Sequence, residues 1–150
     1  MSFSITDGPI DAGALRALVQ DPHCGACVVF EGWVRNHNEG REVLGLEYEV
    51  YEPLAVSEGL RILAEARHRF GLSGVACVHR TGRLGLGEVA VVVVAAAAHR
   101  DEAFRACRYV IDEVKRRLPI WKKEHYRDGE ARWVNCRHCV AADSEGLAAS

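Results

Sequence analysis

Cationic side chains are concentrated in one short segment, where they could act on an anionic substrate. Within thirteen residues the segment carries Lys115, Arg116, Arg117, Lys122, Lys123 and Arg127, opposed only by Glu124. Because Pro119 ends the preceding helix pattern, the chain changes direction there, and Lys115 and Lys122 can converge on one pocket. Lysines gathered with other cations have lowered pKa values and become acid–base groups or nucleophiles. The alternative interpretation is a solvated helix end, where cations suit the helix dipole.

A His-Arg pair lies where a fully apolar run meets a predicted helix. His99 and Arg100 follow this run directly and precede Asp101. Helix N-termini present free N–H groups and favour anions, so the pair suits a phosphate or carboxylate. The competing interpretation is that Asp101 caps the helix and the two basic residues lie on the surface.

A third polar group follows a predicted strand at Val34-Arg35-Asn36-His37-Asn38. Taken alone, such a segment is typical of a solvated loop. Its position at the end of a strand makes it the third place in the chain where chemistry could be located.

Six cysteines are present, four of them in two C-x-x-C pairs, Cys24–Cys27 and Cys136–Cys139. Two such pairs can make a tetrahedral zinc site. These pairs lie more than a hundred residues apart, and Cys27 opens a predicted strand, in which residues three apart point to opposite faces. We therefore expect no metal site. The other two, Cys77 and Cys107, fall on apolar faces and are predicted to be core residues.

The chain has 150 residues, 49% hydrophobic and 27% charged, with a net charge of −2. This size suits one domain, which we place at 1–140, with a flexible tail at 141–150. The longest aliphatic run, Val89–Ala98, is too short to span a membrane as a helix. The N-terminus lacks a basic region followed by a long apolar one, so we expect a cytoplasmic protein with reduced cysteines. Near-neutral charge also argues against a general nucleic-acid binder.

Hydrophobic periodicity predicts three helices and seven strands. The helices are at 11–20, 54–70 and 101–118, and the strands at 3–6, 26–35, 43–51, 75–80, 88–98, 120–126 and 130–134. Strands 26–35 and 43–51 are predicted to form a hairpin, with Leu44, Leu46, Tyr48 and Val50 on one face. Residues 81–87, with three glycines, are predicted to be a loop. The order β-α-β-β-α-β-β-α-β-β indicates an α+β fold, with helices packed on a mixed or antiparallel sheet.

Five blocks of the sequence, in order from about residue 24 to 137, together resemble the large, catalytic subunit of molybdopterin synthase. The blocks are Gly25-Ala26 with Phe30–Asn38, Leu46–Tyr51, His79–Leu84 with Gly87-Glu88, His99-Arg100 with Ala103-Phe104, and Lys115 with Pro119–Glu124, Gly129 and Trp133-Val134. Five blocks in register are far more specific than any one motif.

The resemblance implies an α/β hammerhead-type fold and a homodimer, each end of which carries a small, ubiquitin-like sulfur-carrier subunit. The implied reaction converts cyclic pyranopterin monophosphate to molybdopterin. Two sulfurs come from the C-terminal Gly-Gly thiocarboxylate of the carrier, and no cofactor or metal takes part in this step.

The same resemblance also implies roles for individual residues. Lys115 and Lys122 match the catalytic lysines of the family. The matching substrate-binding positions are Trp33, Val34, Arg35, His99, Arg100, Lys123, Glu124 and Arg137. An alternative is a non-catalytic adaptor of the same fold that binds a ubiquitin-like partner, although the complete set of lysines and basic residues argues against it. A nucleic-acid binder using residues 115–127 is a weaker alternative.

Overall fold

The apolar run Val89–Ala97 forms the strand around which the chain folds. In this computed structural model, which describes residues 1–135, both faces of that strand are covered. The described elements, in chain order, are β1 Ser2–Thr6, α1 Ala12–Val19, β2 Ala26–Trp33, β3 His37–Asn38, β4 Arg41–Val50, α2 Glu52–Phe70, β5 Gly74–Arg80, β6 Gly82–Gly85, β7 Val89–Ala97, α3 Arg100–Arg117, β8 Ile120–Tyr126 and β9 Ala131–Asn135.

The first sheet has the strand order β1-β5-β7-β2. Strand β1 runs parallel to β5, whereas β7 is antiparallel to both β5 and β2. Alternate residues of β7 pack into two cores. Val91, Val93 and Ala95 join the core beneath α2 and α3, and Val92 and Val94 join the smaller core beneath α1. A strand buried on both faces must be apolar at every position, which explains the unbroken run in the sequence.

Strands β4, β8 and β9 form a second antiparallel sheet, to which β3 and β6 also pair along β4. The predicted hairpin of 26–35 with 43–51 is therefore wrong. Strand β2 pairs with β7 instead, and the hairpin that does form joins β3 to β4. Its turn has left-handed backbone at Glu39 and Gly40, with φ of 51° and 75°. The turn-forming residues after β2 predicted the reversal of the chain correctly. Which strands then pair with each other depends on the whole sheet.

Two further expectations are corrected in this second sheet. The predicted loop 81–87 contains strand β6, which pairs with residues 45–48 of β4. The alternation predicted for β4 fails at its start, where the register shifts between Val43 and Gly45. Because a bulge moves the following side chains to the other face, Val43 is buried with Leu46 and Leu44 is exposed.

The α+β class is confirmed, with three helices packed on sheet faces within residues 1–135. Asp11 caps α1 by accepting a hydrogen bond from the Ala14 amide, and Gly71 ends α2 in the left-handed conformation. Cys77 and Cys107 are buried, as predicted. None of the described helices is long and apolar enough to cross a membrane. The predicted tail at 141–150 lies outside the described residues.

Gly59 is the position where α2 approaches β1 most closely. A Cβ atom there would overlap the Phe3 ring, which is buried in the main core. Alanine normally stabilises a helix relative to glycine, by up to about 1 kcal/mol. In this setting we expect Gly59→Ala to lower the free energy of unfolding by about 1–3 kcal/mol, the usual cost of overpacking. Urea denaturation measures the change, and Ser57→Ala at an exposed position of α2 is the control. A stabilised Gly59→Ala variant would contradict the packing described here.

Candidate functional site

The polar segment after β2 folds back toward β8 through the small β3–β4 hairpin. Arg35 follows β2 and is exposed, and its Nη2 donates to the Asn38 Oδ1 at 3.2 Å. Asn38 lies in β3 and is half-buried. The hairpin therefore turns the Asn38 side chain inward while leaving the Arg35 guanidinium facing solvent.

A buried carboxylate lies at the centre of this region. Glu124 of β8 is only 3% exposed. The Asn38 amide nitrogen donates to its two oxygens at 3.2 and 3.0 Å, and the Tyr126 hydroxyl donates to Oε2 at 2.9 Å. The Lys122 ammonium lies 3.2 Å from Oε1. Three donors from two elements thus surround one carboxylate.

These donors keep the Glu124 carboxylate ionised. Burial raises the pKa of this carboxyl, but the hydrogen bonds from Asn38 and Tyr126 and the charge of Lys122 outweigh burial. The net pKa of Glu124 therefore lies below its ordinary value. A permanent negative charge in the interior then holds the Lys122 ammonium beside it.

Alternation along β8 separates the predicted site residues into two groups. Lys122 and Glu124 share one face with the buried Tyr126. Lys123 points to the other face, where its ammonium lies 5.4 Å from the centre of the Trp133 ring. The structure therefore brings Lys122 and Glu124 together with Arg35 but places Lys123 on the opposite side of the sheet.

Lys115 lies in the last turn of α3, close enough to His79 of β5 for its charge to act on that side chain. The charge of Lys115 acts on the His79 imidazole, which packs edge-on against the Tyr48 ring at 4.9 Å. Tyr48 lies directly opposite Lys122 in the β4–β8 ladder. Lys115 therefore acts on His79, and Lys122 is the ladder partner of Tyr48, which packs on His79. That the two lysines converge on one pocket stays a prediction.

His79 is a neutral imidazole in this setting. It is 3% exposed, and burial, together with the charge of Lys115, lowers its pKa to about 4 despite the bond to Arg80. Its Nδ1 donates to the Arg80 carbonyl at 2.8 Å. Because a carbonyl oxygen only accepts, Nδ1 carries the proton and Nε2 does not.

His99 and Arg100 lie at the opposite end of α3 from Lys115. His99 is the N-cap residue, and within residues 1–135 no side chain caps the helix, so the alternative in which Asp101 caps it is wrong. Both basic residues are exposed, as the same alternative held. Asp101 instead pairs with Arg105 at 3.5 Å. Fifteen residues of helix separate Arg100 from Lys115, a rise of about 23 Å. One chain therefore does not bring the His-Arg pair to the lysines.

The remaining predicted site residues have different surroundings. Trp33 is 68% exposed at the end of β2, and its indole donates to Glu31. Val34 is buried, and its amide donates to the Glu88 carbonyl at 3.0 Å. Arg137 lies outside the described residues.

Half of the predicted cationic segment proves to be structural. Arg117 forms 2.6 Å ion pairs with Glu58 and Glu65, which join α3 to α2. Arg116 pairs with Glu113 and Arg127 pairs with Glu42. All three arginines of this segment are thus paired with glutamates, which weakens the nucleic-acid interpretation.

Of the two C-x-x-C pairs that were weighed as a zinc site, only the first falls in the described part of the chain. Cys24 and Cys27 are free thiols, and in residues 1–135 no group of three or more His, Cys, Asp or Glu side chains is arranged to hold a metal ion. Cys136 and Cys139 lie beyond these residues, so the expectation of no metal stays a prediction.

Sequence reasoning assigned no role to four residues that shape the site: Asn38, Tyr48, His79 and Tyr126. A signal for one of them was available, since Tyr126 follows Glu124 by two residues and must share its face of β8. The other three come from distant strands, and their contacts depend on strand pairing.

Comparison with known proteins identifies a family. The profile described as MoaE protein matches residues 5–117. A molybdopterin synthase catalytic subunit from Nostoc sp. is 44% identical over 92% of this chain and 84% of its own. The crystal structure of molybdopterin synthase from Staphylococcus aureus superposes with a TM-score of 0.83 at 35% identity, covering 87% of this chain and 94% of that chain.

A more distant structure shares the fold. It is a complex of subunits 1 and 2 of molybdopterin-converting factor from Helicobacter pylori. The match has a TM-score of 0.71 at 23% identity and covers 88% of this chain and 89% of that chain. At this identity the similarity shows the fold alone.

The lowered pKa of His79 makes stability depend on pH. The unfolded chain protonates this imidazole below about pH 6.5, whereas the folded protein does so only near pH 4. Stability therefore falls as the pH drops from 6.5 toward 4, by up to about 3 kcal/mol from this group. We expect His79→Asn, which keeps an N–H for the Arg80 carbonyl, to lose this part of the pH dependence in urea denaturation.

The exposed His68 of α2 provides the matched control. His68→Asn should retain the pH dependence of the wild type. If wild type and His79→Asn lose stability equally between pH 6.5 and 4, the neutral buried imidazole is contradicted.

Proposed function

The chain belongs to the MoaE family, and from this membership we propose that it is the catalytic subunit of a molybdopterin synthase. It converts cyclic pyranopterin monophosphate to molybdopterin with two sulfurs from a thiocarboxylated carrier. The observation that carries the proposal is the arrangement around the buried carboxylate of Glu124, which Lys122 contacts directly and to which Arg35 is linked through Asn38. Such an arrangement holds two cationic groups ready for an anionic substrate.

Each cation has a proposed part in the reaction. The Arg35 guanidinium, exposed and fixed by Asn38, binds the cyclic phosphate, because a planar fork of donors suits phosphate oxygens. Lys115 and Lys122 are the catalytic residues. They steady the terminus of the carrier tail and transfer protons as sulfur adds and the cyclic phosphate opens.

The other proposed substrate-site residues divide by their exposure. Trp33 offers an exposed indole and is proposed as a contact, as are Arg137 and, from the other face of β8, the half-buried Lys123. Glu124 and Val34 are buried, so we propose that they shape the site without touching substrate.

We further propose a homodimer that completes the site. Strand β2 is the outer strand of its sheet, and no other strand of the described chain pairs with its free edge. Val29, Phe30 and Trp33 of β2 are exposed apolar residues, as is Phe104 of α3, which is 61% exposed. An unpaired apolar edge beside an exposed aromatic ring favours pairing with a second copy.

The β2–β7 register indicates how such a dimer brings the two halves of the site together. Ala26, at the start of β2, lies opposite Ala97, just before His99 and Arg100. Arg35 follows the other end of β2. If two β2 strands pair antiparallel across a two-fold axis, the Arg35 end of one lies beside the His99 and Arg100 of the other. His99 and Arg100 would then bind the phosphate in the partner's site.

The proposed carrier is a small ubiquitin-like protein ending in Gly-Gly thiocarboxylate. Support comes from the family and from the Helicobacter pylori relative of the same fold, whose structure is a complex with its second subunit. We propose that the step uses no cofactor or metal and takes place in the cytoplasm, with residues 1–140 acting as one domain.

Reconstitution with a thiocarboxylated carrier and the cyclic precursor tests the proposed function, with molybdopterin as the product measured. We expect Lys115→Ala and Lys122→Ala each to lower the rate by about a hundredfold or more, the size typical of a lost acid–base group. Arg116→Ala, which removes a neighbouring cation paired with Glu113, is the control and should keep its activity. A wild-type chain that binds the carrier but makes no molybdopterin would support the adaptor alternative.

Mixing two inactive variants tests the shared site. Lys115→Ala and His99→Ala are expected to be inactive separately, but a mixed dimer has one site with both groups intact. Random exchange makes half of the dimers mixed, so activity should return to about a quarter of wild type. If subunit exchange is demonstrated and the mixture stays inactive, the site is built within one chain.

A further inference from the structure

Asn38 occupies a bridging position between two groups of the proposed site. Its Oδ1 accepts from Arg35 Nη2 at 3.2 Å, and its Nδ2 donates to the Glu124 oxygens at 3.2 and 3.0 Å. Glu124 in turn holds the Lys122 ammonium at 3.2 Å. A continuous chain of contacts therefore runs from the guanidinium to the ammonium through one amide and one carboxylate.

The chemistry of the partners fixes the orientation of this amide. Arg35 only donates and the ionised Glu124 only accepts. A flipped Asn38 would direct its NH2 group at the guanidinium and its oxygen at the carboxylate, and both contacts would be repulsive. An asparagine is thus matched to a site with a donor on one side and an acceptor on the other.

We propose that Asn38 is a positioning residue that fixes Arg35 and Lys122 relative to each other by bridging Arg35 to Glu124. The inference rests on the proposed function, in which Arg35 binds phosphate and Lys122 transfers protons. Asn38 touches neither the phosphate nor the reacting atoms. It acts on substrate binding through Arg35 and on the chemical step through Glu124 and Lys122.

Two substitutions of Asn38 separate the effect on substrate binding from the effect on the chemical step. Asn38→Ala removes both contacts, so we expect a higher KM for the cyclic precursor and a lower kcat, together about ten- to a hundredfold in kcat/KM. Asn38→Asp keeps an acceptor for Arg35 but places a second carboxylate against Glu124. We expect this variant to retain a KM near wild type while kcat falls.

A matched control lies two residues away in the same segment. Asn36 is exposed, and its Oδ1 contacts the His37 ring at 3.0 Å rather than Arg35 or Glu124. Asn36→Ala should leave both kinetic constants unchanged. Thermal denaturation of every variant shows whether any loss of activity arises from unfolding, which lowers the active fraction without changing KM.

Glu124→Gln tests whether Asn38 acts on the chemical step through Glu124. If so, adding Asn38→Ala to Glu124→Gln should lower kcat no further than Glu124→Gln alone. Independent, multiplying losses of kcat would overturn the inference.

The wild-type chain distinguishes this inference from the proposed function. If wild type forms no molybdopterin with the thiocarboxylated carrier, the proposed function fails and the inference fails with it. If wild type is active and Asn38→Ala matches Asn36→Ala in kcat and KM, the bridging role alone is overturned. Wild-type activity with the split between Asn38→Ala and Asn38→Asp supports it.

Discussion

The burial of β7 on both faces is the constraint on which the rest of the structure depends. An apolar strand with two hidden faces needs cover on each side, which α1 provides on one and α2 with α3 on the other. It also needs a strand along each edge, and these are β5 and β2. Because β2 covers one edge of β7, it belongs to the first sheet and not to the second. Arg35 follows the end of β2 that lies far from His99 and Arg100. The hidden strand therefore sets the distance between the two groups of basic residues.

In the second sheet, the ionised Glu124 is the group on which the arrangement of its neighbours depends. A buried carboxylate without donors would take up a proton, because charge is poorly solvated in the interior. Asn38, Tyr126 and Lys122 supply the donors that prevent this. The result is a fixed negative charge that holds a cation in a defined place, while His79, deprived of solvent, stays neutral near Lys115. Burial disfavours the charged form of both side chains. The donors around Glu124 outweigh this effect and keep the carboxylate charged, whereas the single hydrogen bond from His79 to the Arg80 carbonyl does not keep the imidazole charged.

Local signals in the sequence predicted the helices well, because caps, prolines and 3.6-residue periodicity involve neighbours along the chain. Asp11, Gly71 and Pro119 mark helix ends that the structure confirms within one or two residues. Strand partners were predicted less well. The hairpin assigned to β2 and β4 is wrong, because β2 pairs along its length with the buried β7, a partner that no local turn signal reveals.

The sequence by itself determined the α+β class, the buried strand, the core cysteines and, through five matching blocks, the family. It also marked Lys115 and Lys122 as a pair. Only the tertiary structure decided which polar residues support them. Asn38 and Glu124 are 86 residues apart in the sequence. Arg117 forms ion pairs with glutamates of α2 and therefore holds two helices together. Contacts of this kind have no local signal, because they exist only after sheet register and helix packing have brought distant side chains within hydrogen-bonding distance.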